Sequence, residues 1–220
     1  MATSGTYTWN PDGGDLLIEA WEMLGRNAEE MTGTIAKSAM RSAMMMFQTW
    51  ANKGINLWQI DSQTFQTVQG QVTFTTSPNT IDVLNVMVTD STGTDYIITG
   101  IGRGDYVSIP NKNTQSRPTQ FWCERILPTP VLHLYPCPDQ AYTVTYWRYR
   151  QTQDFLAMAN SPDAPVLWSE AITSGLAARL AVKYAPDKYP LLQAIATSTF
   201  NDAAGENRER VPFIAKPLVT

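Results

Sequence analysis

At 220 residues with 43% hydrophobic content, the chain has the length to bury a sizeable core, as one large domain or two smaller units. A net charge of −4, with no dense cluster of Lys and Arg, excludes a nucleic-acid grip built on displacing counterions. Charged residues make up 16%, below the usual ~25%, which favours a subunit partly covered by neighbours over a neutral β surface rich in Thr, Ser, Asn and Gln.

Met1 to Gly14 is polar and lacks the basic start and apolar core of a signal peptide, so synthesis in a reducing cytoplasm is expected. Asp15 is expected to open a helix with Leu17, Ala20, Trp21 and Leu24 on its apolar stripe and Gly25 at its end. A Met-rich helix follows, with Ala36, Met40, Ala43, Phe47 and Trp50 on one stripe and Lys53-Gly54 closing it. The two form a helical hairpin. Within the run Met44-Met45-Met46, Met44 is assigned to the core stripe, with Met45 and Met46 against a flanking helix or exposed for docking.

From Ile55 to about Phe155 the period changes to that of strands. Phe65–Val68, Gln71–Thr76, Thr80–Thr89, Tyr96–Thr99, Gln120–Ile126, Val131–Tyr135 and Tyr142–Tyr149 are rich in Thr, Val and aromatic residues. Turn chemistry separates them, as at Ser77-Pro78-Asn79, Thr92-Gly93 and Pro128-Thr129-Pro130. The expected product is an antiparallel sheet curled on itself, a small sandwich or barrel. With Leu127 to Pro130 as a hairpin loop, Cys123 falls opposite residue 134 and Cys137 opposite residue 120, which leaves both thiols free. The same register sets Glu124 across from His133, a pair worth ~0.2–1 kcal/mol. Arg148 and Arg150, alternating with Tyr146, Trp147 and Tyr149, are read as an ordinary solvated face rather than a base-stacking platform.

The chain then returns to helix. Ser161-Pro162-Asp163-Ala164-Pro165 supplies a capping residue and prolines for a helix carrying Trp168, Ala171, Ile172, Gly175, Leu176, Ala178 and Leu180. Its small residues at 171, 175 and 178 allow another helix to approach closely. A further helix spans about Tyr189 to Ala204, and the two prolines of Val211 to Thr220 leave that stretch as an extended apolar tail. The expected fold is α+β. Residues 1–54 supply an arm and a helix pair, 55–155 an inserted antiparallel β module, 156–207 a helix pair completing the bundle, and 208–220 a tail.

Catalytic signatures are sparse. His133 is the single histidine, and no G-x-S-x-G, H-E-x-x-H or C-x-x-C occurs. Gly100-Ile101-Gly102-Arg103-Gly104 lacks the lysine of a phosphate loop and reads as a turn; the tripeptide Arg103-Gly104-Asp105 is too short to carry weight. Asp154, Asp163 and Glu170 are the carboxylates to weigh for glycoside cleavage. No metal-ligand spacing, cofactor fingerprint or membrane-spanning run is expected. A non-enzymatic role follows. A competing reading is a β-sandwich module that binds carbohydrate or a receptor through Trp122, Tyr135, Trp147 and Tyr149.

Several short segments, in order, resemble the head-to-tail adaptors of short-tailed phages, the tail accessory factors and tail tubular proteins. They are Asp15-Leu16-Leu17-Ile18-Glu19-Ala20 with Leu24-Gly25, then Phe47 to Trp58, Asp105 to Lys112 and Arg117-Pro118. Leu132-His133-Leu134-Tyr135-Pro136-Cys137-Pro138 and Trp168-Ser169-Glu170-Ala171 complete the series, which covers about Asp15 to Asp202. The resemblance implies a virion protein with no active site, forming a ring, typically dodecameric, beneath the portal. Such a ring seals the exit for packaged double-stranded DNA, lets DNA pass without sequence-specific binding, and presents a surface to a distal tail or nozzle protein. It also implies that Gly104 to Ile109 forms a helical turn, and that Val211, Pro212, Phe213, Ile214, Pro217, Leu218 and Val219 reach the portal. In such a ring Met45, Met46 and Thr49 are the candidate contacts with a neighbouring copy.

Overall fold

Two glycines open the first helix, and the reason lies in how its free amides are satisfied. Helix α1 (Gly13–Met23) starts before Asp15, because Asp12 is the cap. Asp12 accepts the Asp15 N–H at 2.9 Å, and the Asp15 carboxylate accepts the Asp12 N–H at 3.4 Å. The Gly13 and Gly14 amides donate to the carbonyls of Asn160 and Met158 at 3.0 and 2.7 Å. Asp15 is therefore the reciprocal member of a capping box rather than its first residue. Asp12→Ala is expected to cost about 1 kcal/mol, read as a lower urea midpoint at unchanged slope.

The computed structural model describes residues 3–54, 57–154 and 157–208. The chain divides into two units, Met1–Leu57 with Thr152–Thr220, and Trp58–Gln151. The fold is α+β, with a helical unit and a curled seven-stranded sheet.

In the helical unit, α1 buries Leu17, Ala20, Trp21 and Leu24 as its stripe predicts, and Gly25 ends the run at φ +75°. Helix α2 (Gly33–Ala51) buries Ala36, Ala43, Phe47 and Trp50, but Ala39, Ser42 and Met46 join them while Met40 and Met44 stay half-buried. The buried face is turned because α4 (Ser169–Tyr184) lies against it. A Cβ on Gly175 would stand 2.7 Å from Met46 Sδ and 3.2 Å from the Trp50 ring, so the absence of a side chain there sets the closeness of α2 and α4. Helix α4 packs on α1, α2 and α5 (Tyr189–Glu206), which explains its burial nearly all round. Ser161 does not cap it. A tight turn, Val166–Trp168, precedes α4, and the Asp163 carboxylate instead accepts the Gln153 N–H at 2.9 Å.

The sheet runs β1 (Ile60–Gln66), β7 (Thr143–Arg150), β3 (Thr80–Thr89), β4 (Asp95–Gly100), β5 (Gln120–Glu124), β6 (Val131–Tyr135), β2 (Thr73–Thr75) in spatial order. One pair departs from the antiparallel expectation. β4 and β5 are parallel, joined by a crossover that contains α3 (Arg103–Ser108), the helical turn implied by the resemblance. The edges curl toward each other until Phe65 on β1 and Phe74 on β2 stack at 4.9 Å. Val86, Val88, Phe121, Leu132, Leu134, Val144 and Tyr146 fill the interior. In β3 the alternation breaks at a bulge between Val83 and Asn85, so Val83 points inward before it and Val86 and Val88 after it.

The hairpin register also differs from the expected one. Cys123 faces Leu132 and Trp122 faces His133, because the strands end at Glu124 and Val131 and the turn takes in Arg125 and Ile126 as well. Glu124 and His133 still meet, diagonally, with Oε2 to Nε2 at 2.8 Å. Cys137 bridges to Gln115 instead of facing residue 120, and both thiols are free.

Candidate assembly surfaces

On the helical unit, the proposed contact residues of α2 separate. Met45 is 52% exposed, and Thr49 is exposed with its hydroxyl donating to the Met45 carbonyl at 2.8 Å and accepting from Arg179 at 3.0 Å. Met46 is 1% exposed, held in its own bundle against Gly175, and is corrected from a neighbour contact to a core residue. Val211, Pro212, Phe213, Ile214, Pro217, Leu218 and Val219 lie outside the described residues.

Two grooves of opposite charge flank α4. Between α2 and α4, Arg41, Met45, Arg179, Val182 and Lys183 line a groove floored by Ser38 and Ser42. Lys183 Nζ donates to the hydroxyls of Ser38 and Ser42 at 3.1 and 2.7 Å, and burial holds the Arg179 guanidinium below the usual arginine range. The second groove is lined by Trp9, Leu16, Met23 and Ile195 with the carboxylates Asp15, Glu19 and Glu170. Trp9 is 71% exposed.

The sheet unit corrects two readings. Arg148 is not on a solvated face. Its guanidinium clamps Asp61 on both oxygens at 2.6 and 3.1 Å, and its Nη1 donates to the Pro78 carbonyl at 2.7 Å and the Thr80 hydroxyl at 3.1 Å. Sequence reasoning missed it because a period of two tells which residues share a face and not which face is covered. Nor do the four aromatics form a platform. Trp122 stacks on His133 at 4.6 Å beneath Tyr106 of α3, Tyr149 is buried, and three strand steps separate β5 from β7.

The carboxylates weighed for glycoside cleavage divide as well. Asp154 and Asp163 line one depression, while Glu170 lines the groove with Asp15 and Glu19. Among the described residues no cluster of three His, Cys, Asp or Glu could hold a metal, and no helix is long and apolar enough to cross a membrane. Burial pushes both thiols up, at Cys123 reinforced by the nearby Asp82 charge. Both are expected to react with a disulfide reagent at neutral pH more slowly than free cysteine, and at the free rate in urea; equal rates in the folded protein would contradict this.

Residues carrying the resemblance have structural work in this arrangement. Arg117 places its guanidinium 3.6 Å above the Tyr96 ring and Pro118 is fully buried. Lys112 donates to the Ile109 carbonyl at 3.0 Å, just past the end of α3. A family model described as SU10 adaptor protein matches residues 12–215, through both units. The chain belongs to that family of phage adaptors. A search of curated proteins found no match. As an SU10-family adaptor the protein is a virion component that joins portal and tail proteins.

Proposed function

We propose that this SU10-family adaptor closes into a ring beneath the portal, dodecameric in the manner of short-tailed phages. The ring seals the exit for packaged DNA and docks a distal tail or nozzle protein. It acts as a mechanical joint and not as an enzyme, and it needs no cofactor. The observation that carries this reading is the family match itself, which runs through helices and sheet alike and so assigns both units to one adaptor. The net charge of −4 supports a channel through which DNA slides without adhering.

The tail from Val211 to Thr220, apolar and interrupted by prolines at 212 and 217, is the segment proposed to reach the portal. Electron microscopy of the full chain mixed with its portal should show a closed ring on the portal's exit face. A chain ended after Arg210 should melt like the full protein yet lose portal binding. Undiminished binding by the shortened chain would remove the tail from the contact, and absence of any ring on the portal would defeat the reading as a whole.

A further inference from the structure

We propose that each copy seats the acidic face of its α1 in the groove between α2 and α4 of the next copy, so that the contact runs head to tail. This inference rests on the ring reading and names its contact faces. The charges segregate by helix. Helix α1 carries Asp15, Glu19 and Glu22 and no cation, whereas α2 carries Lys37 and Arg41 and no carboxylate. Helix stability accounts for Asp15, which completes the cap of α1, but not for the rest of the pattern. Glu22 stands next to the last residue of α1, where the helix dipole disfavours an anion, and Lys37 and Arg41 lie past the first turn of α2, where the dipole has no hold on them. Among the described residues, the ion pair of Arg26 with Glu30 uses none of them.

The geometry of α4 adds the direction. Arg179 follows Glu170 by nine residues, about two and a half turns, so the cationic and acidic grooves open on opposite sides of one helix. A heterologous contact takes a patch and its counter-patch at separate places, whereas a two-fold pairing would need both on one face to meet reciprocally, and here they open on opposite sides of α4. Both grooves carry exposed apolar surface to be covered: Met45 and Val182 in the cationic one, Trp9 in the acidic one. Trp and Arg are the side chains that most often carry the binding energy of a contact, and Trp9 and Arg179 stand in the two grooves.

Two double variants of the full chain test this, Lys37→Glu with Arg41→Glu, and Glu19→Lys with Glu22→Lys. All four positions are exposed, so both variants should keep the wild-type melting curve. Self-association is followed by sedimentation velocity to a few hundred micromolar, alone and with purified portal. Each variant by itself should associate at least about tenfold more weakly than wild type, since like charges then face each other. A one-to-one mixture of the two should recover association, because each variant's reversed face then meets an opposite charge on the other. Raising the salt should weaken the wild-type contact.

Either variant assembling like wild type, or a mixture that fails to recover, overturns the contact, as does a wild type that stays monomeric both alone and on the portal. A wild type that binds no portal counts against the ring reading, and the portal-free runs then decide the contact on their own.

Discussion

Arg148→Met is expected to destabilise the protein by about 2–4 kcal/mol, seen as a lower denaturant midpoint at unchanged slope. Four hydrogen bonds leave that one guanidinium, to both Asp61 oxygens, the Pro78 carbonyl and the Thr80 hydroxyl. Removing it strands a carboxylate and two other acceptors, and stranded groups cost more than the net worth of the bonds that held them. The Asp61 side chain is 37% exposed, so water recovers part of its solvation and the loss stays at the lower part of the range for buried pairs. Arg148→Lys should restore only part, because an ammonium cannot grip both carboxylate oxygens in one plane.

The same pair sets an acid response. The Arg148 hydrogen bond, opposed by burial and aided by the charges of Arg148 and Arg150, holds the Asp61 carboxyl below the usual carboxylate range. A carboxyl lowered in the folded state adds stability that is complete above its unfolded value of roughly 3.9 and is lost as the pH falls through the folded value. Wild type should therefore lose stability as the pH falls from about 3.9 through the lower folded value, while Arg148→Met, already without the pair, shows a flatter profile. Parallel profiles for the two proteins would show that Asp61 takes no part.

How far the sequence carries is uneven, and the reasons differ from element to element. The apolar stripe of α1 and the limits of β3 and β6 were legible because hydrophobic periodicity and turn residues report burial directly. The start of β1 was not. Asp61-Ser62-Gln63-Thr64 is polar, and the segment pairs as a strand only because β7 offers an edge. The turn of the α2 face toward Met46 depends on Gly175, which is more than a hundred residues away in the chain. Arg148 required knowing that Asp61 lies directly opposite it. On the assembly surfaces, the separation of acidic α1 from basic α2 was already present in the sequence. Its meaning emerges only when α4 sets the two grooves on opposite sides.

Trp50→Ala should destabilise the helical unit by about 3–5 kcal/mol. The Trp50 ring is the hub of an aromatic cluster, with centroids 5.8 Å from Phe47, 5.5 Å from Trp168 and 5.2 Å from Phe200. Its removal opens a void among rings too rigid to collapse into it, and loses the edge and tilted contacts besides. Gly175 provides the control for this explanation. In wild type, Gly175→Leu should cost about 1–3 kcal/mol, since its first carbon already crowds Met46 and Trp50. With Trp50 reduced to alanine, the same leucine finds space, so the double variant should be more stable than the two single losses added together. Strict additivity in that cycle would mean that α2 and α4 do not meet through these two residues, and the account given for the closeness of the helices would have to be abandoned.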